Sequence, residues 1–295
     1  MSFPLARWLG KPRPVDPVQR QGEELRAQVR TLEIRARRAM EAGLTGQYQS
    51  AFRGRGLEFE EVREYRAGDD VRTIDWNVTA RTGSLHVKRY REERDLTVLL
   101  LVDLSASTRF GSGVMTVHDL IAEVASLFAL SASRRDRVGA VLFDDDVRSL
   151  IPPRSGWRHG LRVVREVLAA APAGRGTAVE DAVAAAGRIL HRRGVVILLV
   201  DRACPLPRRR LVSLAGRHEV VVLRAGDAML DRRGLQCPLP AVDAESGLCF
   251  TAARPRGLKD RPVLPGVDVV NLRTDEDYLP TVEALLERRE RRRAS

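Results

Sequence analysis

Leu96-Thr97-Val98-Leu99-Leu100-Leu101-Val102-Asp103-Leu104-Ser105-Ala106-Ser107 decides the fold. Leu96 to Val102 is an almost unbroken apolar, β-prone run. Such a run reads as a strand buried on both faces, the habit of parallel sheets covered by helices. Asp103, Ser105 and Ser107 then leave the carboxyl end of that strand at alternating positions. In an open α/β sheet this is the edge where ligands bind. A carboxylate and two hydroxyls gathered there are hard oxygen donors of the kind Mg²⁺ takes. The same residue types also serve as turn and cap residues where a strand hands over to a helix. These residues alone leave both readings open.

Working outward, a second pure β run, Val195-Val196-Ile197-Leu198-Leu199-Val200, ends at Asp201. Val138 to Phe143, Val220 to Leu223 and Val267 to Leu272 read as further strands. Between them lie helical patterns. Thr116 to Ser133 carries Val117, Leu120, Ile121, Val124, Leu127 and Phe128 on one face; Trp157 to Ala170, Thr177 to His191 and Leu279 to Arg293 follow. A short hairpin fits Ala241 to Thr251. Alternating strands and helices predict an α/β fold over 96–295, a doubly wound, mostly parallel sheet. Thr177 follows Ala173-Gly174-Arg175-Gly176 and opens its helix; Thr177-Ala178-Val179-Glu180 also reads as a capping box. Asp201 ends its strand and also reads as the start of a loop.

Asp103, Ser105, Ser107, Thr177 and Asp201, in that order, resemble the metal-ion-dependent adhesion site of von Willebrand factor A-type domains. The resemblance implies that an Asp-x-Ser-x-Ser loop, a Thr from a second loop and an Asp from a third converge on one cation, Mg²⁺ or else Mn²⁺ or Ca²⁺.

Upstream, residues 1–43 read as a loose arm and a charged helix from Pro17 to Ala42. Leu25, Val29, Leu32, Ala36, Ala39 and Met40 form one apolar stripe on it, which must lie on the body of the protein or on a partner. Residues 44–95 read as a β-rich segment with a short helix. Leu57 and Phe59 alternate with polar residues until the phase breaks at Glu60-Glu61, as at a bulge. Ala67-Gly68-Asp69-Asp70 is a turn, and Val71, Ile74 and Val78 recur at helical spacing beside Trp76.

This segment runs Arg53-Gly54-Arg55-Gly56-Leu57-Glu58-Phe59, then Arg63 through Trp76, then Thr79-Ala80-Arg81. It is similar to the signature of the bacterial family catalogued as domain of unknown function 58 (DUF 58). That resemblance implies a von Willebrand factor A-like domain directly after the signature. It also implies a role as partner or adaptor of MoxR-type AAA+ ATPases. Many members carry two membrane spans ahead of the signature; this chain has none and resembles the soluble type. Arg63, Arg66, Arg72 and Arg81 stand close to Glu58, Glu64, Asp69, Asp70 and Asp75. Bidentate pairing among them would make a structural clamp, or in part a docking surface.

Composition narrows the functions. The 295 residues are 44% hydrophobic and 30% charged, as in a soluble protein with a proper core. No apolar run is long enough to span a bilayer, and Met1 to Gly10 lacks a signal-peptide h-region. Cys204, Cys237 and Cys249 have neither paired nor metal-ligand spacing, which points to the cytoplasm. The net charge of +11 is nearly all arginine, spread along the chain among carboxylates and without aromatic-basic interleaving, which disfavours nucleic acid.

His86, His118, His159, His191 and His218 are scattered, which disfavours zinc. No Gly-x-Ser-x-Gly elbow or phosphate loop occurs. Phosphoryl transfer on the haloacid dehalogenase plan needs an Asp where Ser105 stands. Asp144-Asp145-Asp146, which could extend the metal site, reads better as a polar hairpin turn. The expectation is a non-enzymatic, divalent-metal-dependent protein-interaction module whose partner completes the metal shell with an acidic residue. The alternative is a basic nucleic-acid-binding protein in which the metal site is only structural.

Overall fold

The computed structural model describes residues 17–53, 58–91, 96–174, 176–227, 229, 239–242, 249–252 and 262–294. The expected arm at residues 1–16, and Leu57 at the start of the signature strand, lie outside them. Helix α1 (Pro17–Ala39) runs through a π turn, Met40–Leu44, into α2 (Thr45–Arg53). Strands β1 (Glu58–Glu64) and β2 (His86–Arg91) pair antiparallel around α3 (Trp76–Thr82). The register slips between Phe59 and Glu61, the bulge expected from the broken alternation. Then follow β3 (Thr97–Asp103), α4 (Val117–Ser133), β4 (Arg137–Phe143), β5 (Val147–Arg154), α5 (Trp157–Ala169) and α6 (Val179–Ile189). The chain continues through β6 (Val195–Asp201), α7 (Arg208–Ala215) and β7 (Glu219–Gly226). Last come the hairpin β8 (Leu239–Val242) and β9 (Cys249–Ala252), β10 (Val267–Arg273) and α8 (Leu279–Ala294).

Six strands form the main sheet in the order β10-β7-β6-β3-β4-β5, parallel throughout except at β5. The α/β, doubly wound, mostly parallel expectation is met. β3 sits between β4 and β6, and Val98 to Asp103 are buried. The period of two divides its apolar residues between two cores. Leu99 and Leu101 pack with α6 and α7, whereas Val98, Leu100 and Val102 face the side covered by α1, α2, α4, α5 and α8. Leu32, Ala36, Ala39 and Met40 of the α1 stripe are buried in that second core, so the stripe lies on the body of the protein. No described helix is long and apolar enough to cross a membrane.

Three elements were not legible in the sequence. α2 stands where a β-rich segment was expected to begin. Gly43, at φ 115°, breaks the preceding helix. Leu44, Tyr48, Ala51 and Phe52 then recur at helical spacing and are all buried. β5 contains Pro152-Pro153, a pair that argues against a central strand. It survives because β5 is an edge strand, where proline leaves no ladder bond unmade on its free side. α7 buries only Leu211 and Leu214, too few to register as a stripe.

Candidate metal centre at the carboxyl edge of the sheet

Asp103 is the last residue of β3 and is fully buried. Its Oδ1 accepts the backbone N–H of Ser105 at 2.8 Å, which turns the chain sharply off the strand. Its Oδ2 faces the backbone N–H of Asp201, at the end of β6, at 3.4 Å. The Ser105 carbonyl accepts Thr108 Oγ1 at 2.7 Å and the Thr108 N–H at 3.1 Å, closing a 3-10 turn over Ala106–Arg109. That turn brings Ser105 Oγ and Ser107 Oγ to 3.0 Å from each other. Asp201 is buried, and its Oδ1 accepts the Ala203 N–H at 2.9 Å.

The Thr177 loop is stitched to the exit of β3 and to the turn after β4. The N–H of Ala173 donates to the Leu104 carbonyl at 2.9 Å, and that of Ala178 to the Asp144 carbonyl at 2.5 Å. Arg109 Nε donates to the Pro172 carbonyl at 2.8 Å. Helix α6 begins at Val179, two residues later than expected, and Ala178 caps it with no side-chain bond. The capping box read at Thr177 is therefore not formed. The half-buried Thr177 makes no side-chain hydrogen bond among the described residues. Hydrogen bonds gather Asp103, Ser105, Ser107 and Asp201. The Thr177 loop is fastened beside them, without a bond from Thr177 to the other four. Asp144 to Asp146 form the expected hairpin turn between β4 and β5. Asp144 is buried, and its Oδ2 pairs with Arg148 Nε at 2.6 Å.

Gly174 is where these loops press together. Its φ is +80°, and a Cβ there would lie 2.7 Å from Asp144 Oδ2 and overlap Asp145 Oδ1. Gly174→Ala should combine the strain of a positive φ with overpacking and cost about 1–3 kcal/mol. Chemical denaturation checks this; a loss below about 0.5 kcal/mol would mean that the loop is not held against the turn.

Burial pushes the Asp103 carboxyl up to about 6. The N–H groups of Ser105 and Asp201 partly offset that shift, while the Asp201 charge adds to it. A carboxylate so far out of water is costly to ionise without a compensating charge. The carboxylates of Asp103 and Asp201 and the hydroxyls of Ser105 and Ser107 are hard oxygen donors of the kind that suits Mg²⁺ or Mn²⁺. No group of three or more His, Cys, Asp or Glu side chains placed to hold a metal occurs among the described residues. A cation here would lean on hydroxyl and water oxygens, and the residues fit such an ion.

One buried carboxylate at this edge escaped the sequence reading. Asp227 follows β7 just as Asp103 and Asp201 end their strands, and that shared strand-ending position was the signal available. It accepts Ser112 N–H at 2.9 Å, Ser112 Oγ at 2.5 Å, Met229 N–H at 2.8 Å and Thr274 Oγ1 at 2.9 Å. Burial would raise its pKa, but these donors hold it below the usual value. Asp227 thus fastens the loop ahead of α4 to the end of β10.

The profile of the family described as protein of unknown function DUF58 matches residues 61–254. Uncharacterized proteins of Mycobacterium tuberculosis and Mycobacterium bovis are each 31% identical over 291 residues, covering 91% of this chain and 90% of theirs. The chain belongs to the DUF58 family. Among solved structures, protein BatB of Bacteroides thetaiotaomicron is similar over 68% of this chain and 98% of its own, at 15% identity and a TM-score of 0.45. The SpRpn10 VWA domain is similar over 63% of this chain and 93% of its own, at 11% identity and a TM-score of 0.38.

In this DUF58 protein the signature segment closes on itself. Arg63 pairs bidentately with Asp69 at 2.7 and 2.8 Å. Asp70 accepts the Arg72 N–H at the start of a 3-10 turn, and Asp75 accepts the N–H groups of Asn77 and Val78 to cap α3. Arg66, Arg72 and Arg81 are exposed and make no ion pair among the described residues. Among the described residues the expected Arg–carboxylate clamp shows one bidentate Arg–Asp pair and two caps, and the Glu58 side chain lies outside them. Beside these exposed arginines, Val71, Leu85 and the 67% exposed Trp76 face solvent.

Proposed function

We propose that this DUF58 protein is a non-enzymatic, divalent-metal-dependent protein-interaction module. Its partner is a MoxR-type AAA+ ATPase that offers an acidic residue to the metal. The observation that carries the reading is the buried Asp103 carboxylate. It lies among Ser105, Ser107 and Asp201, with the Thr177 loop fastened alongside. Asp103 and Asp201 would supply the charge that holds the ion, and Ser105, Ser107 and Thr177 neutral oxygens. A shell with so few carboxylates leaves room for an exchangeable ligand, and a partner carboxylate is the natural one. Metal and partner then stabilise each other's binding reciprocally. The exposed signature face, with Trp76, Arg66 and Arg72, supports a second contact, because arginine and aromatic side chains are the favoured anchors of interfaces.

The test is capture of the candidate ATPase from the same host by the full chain, in Mg²⁺ and in EDTA. Wild type, Asp103→Ala and Thr177→Ala are compared. Recovery should fall in EDTA and with Asp103→Ala. Thr177→Ala should weaken capture more than it weakens the fold. Equal recovery in every arm would remove the metal from the contact.

A further inference from the structure

Arginines scattered along the sequence converge at the opposite, amino edge of the sheet. Arg193, Arg217, Arg289, Arg292 and Arg293 line one cleft of about 380 Å³. They come from the residue pair before β6, the turn before β7 and the last turns of α8. Glu219 and Asp268 supply the only carboxylates among its described lining. Five guanidinium groups against two carboxylates leave three positive charges in one concavity. A guanidinium cannot shed its proton to relieve them.

We propose that this cleft binds the di- or triphosphate group of a small phosphorylated ligand. The scaffold is built before any ligand arrives. Arg289 is only 6% exposed and donates to both Glu219 Oε2 and Asp268 Oδ2. Its guanidinium also lies 4.8 Å from the Phe52 ring of α2. The two carboxylates it fixes hold the rim in turn. Glu219 Oε1 accepts Arg193 at 2.5 Å and Arg293 at 2.8 Å, and Asp268 Oδ1 accepts Arg292. Each rim guanidinium keeps further N–H donors for an anion, in the planar fork that matches phosphate oxygens. Arg217 has no ion pair at all among the described residues.

The floor of the cleft adds an unmet need. His218 is 5% exposed, and neither ring nitrogen has a hydrogen-bond partner among the described residues. Burial, then Arg217 and Arg193, hold its pKa below the ordinary value. A neutral imidazole retains one N–H donor, which a phosphate oxygen can accept. Charge sets the ligand class. A phosphate monoester carries about 1.5–2 negative charges, so a single phosphate would leave part of the surplus unmatched. No Phe, Tyr or Trp occurs in the described lining, and the one imidazole, His218, is buried in the floor, so the cleft lacks the exposed stacking platform of single-strand nucleic-acid sites.

The full chain, kept in EDTA so that the carboxyl-edge centre plays no part, is titrated with inorganic pyrophosphate at physiological salt and followed by calorimetry. Saturable one-site binding is expected. Arg217→Ala and the double variant Arg292→Ala/Arg293→Ala should each bind about tenfold more weakly or worse. All three arginines lie on the surface, and unchanged melting without ligand confirms that the fold is kept. Asp103→Ala should bind as wild type does. Parallel arms use a single-stranded oligonucleotide and phosphatidylglycerol vesicles. Failure to saturate with pyrophosphate, equal affinity in the arginine variants, or binding confined to the oligonucleotide or the vesicles would overturn the proposal.

Discussion

Arg289→Ala should lower the stability of the folded chain by about 3–5 kcal/mol, because it removes one partner of a buried, charged network. Arg289 is the buried cation shared by Glu219 and Asp268, which start the adjacent strands β7 and β10. Burial alone would push the Glu219 carboxyl up; Arg193, Arg289 and Arg293 together hold it below its usual value. After the substitution, Arg193 and Arg293 still serve Glu219 and Arg292 still serves Asp268, which places the loss toward the lower end of the range. The contact of Arg289 with Phe52 is lost as well, and a desolvated cation–π pair is worth about 2 kcal/mol. The damage should therefore reach α2, which packs on α8 through that ring. Arg291→Ala is the control. Arg291 is 76% exposed, and its contact with Glu287 at 3.6 Å is a surface pair of little worth. Urea denaturation of both variants decides the matter. A loss below about 1 kcal/mol in Arg289→Ala would show that the rim arginines, and not the buried one, bind the edge together.

Asp103→Asn should act in the other direction. In EDTA at neutral pH it should stabilise the fold by about 1–3 kcal/mol. The Asp103 carboxyl is raised to about 6 by burial, against 3.8 in its ordinary state. A raised value means that folding penalises the charged form. The stability tied to this group is complete below the unfolded value and is lost as pH rises through about 6. An Asn side chain carries no charge to desolvate and keeps an oxygen for the Ser105 N–H. It does place an amide near the Asp201 N–H, a contact of 3.4 Å, which trims the gain. Mg²⁺ should stabilise wild type more at pH 8 than at pH 5, where the proton competes for the same oxygens. It should leave Asp103→Asn unmoved. Thermal melts of both proteins in EDTA and Mg²⁺ at the two pH values test this. A destabilised Asn variant in EDTA would show that the carboxylate charge is already compensated within the fold.

Much of this molecule was legible in short-range pattern. Val98 to Val102 carries no polar residue on either face, and only a central strand covered on both sides tolerates that. The i, i+2, i+4 placement of Asp103, Ser105 and Ser107 put these side chains at the strand's exit, while spacing alone left their turn and ligand readings open. The broken alternation at Glu60-Glu61 located a bulge, because a period-two pattern cannot shift phase without an extra residue.

What the sequence could not decide depends on neighbours distant along the chain. Pro152-Pro153 reads against a strand until the sheet places β5 at its edge. Thr177 reads as a cap until the Ala178 N–H is claimed by the Asp144 carbonyl and the helix starts later. Arg63, Arg66 and Arg72 are alike in sequence, yet among the described residues only Arg63 forms an ion pair. The arginines at 193, 217, 289, 292 and 293 look dispersed until parallel strands β6, β7 and β10 begin at one edge and α8 returns across it. Periodicity and turn chemistry are local and are written residue by residue. Charge pairing and edge position arise only when the strand order is formed, since that order alone sets which distant side chains share a dielectric boundary and which share water.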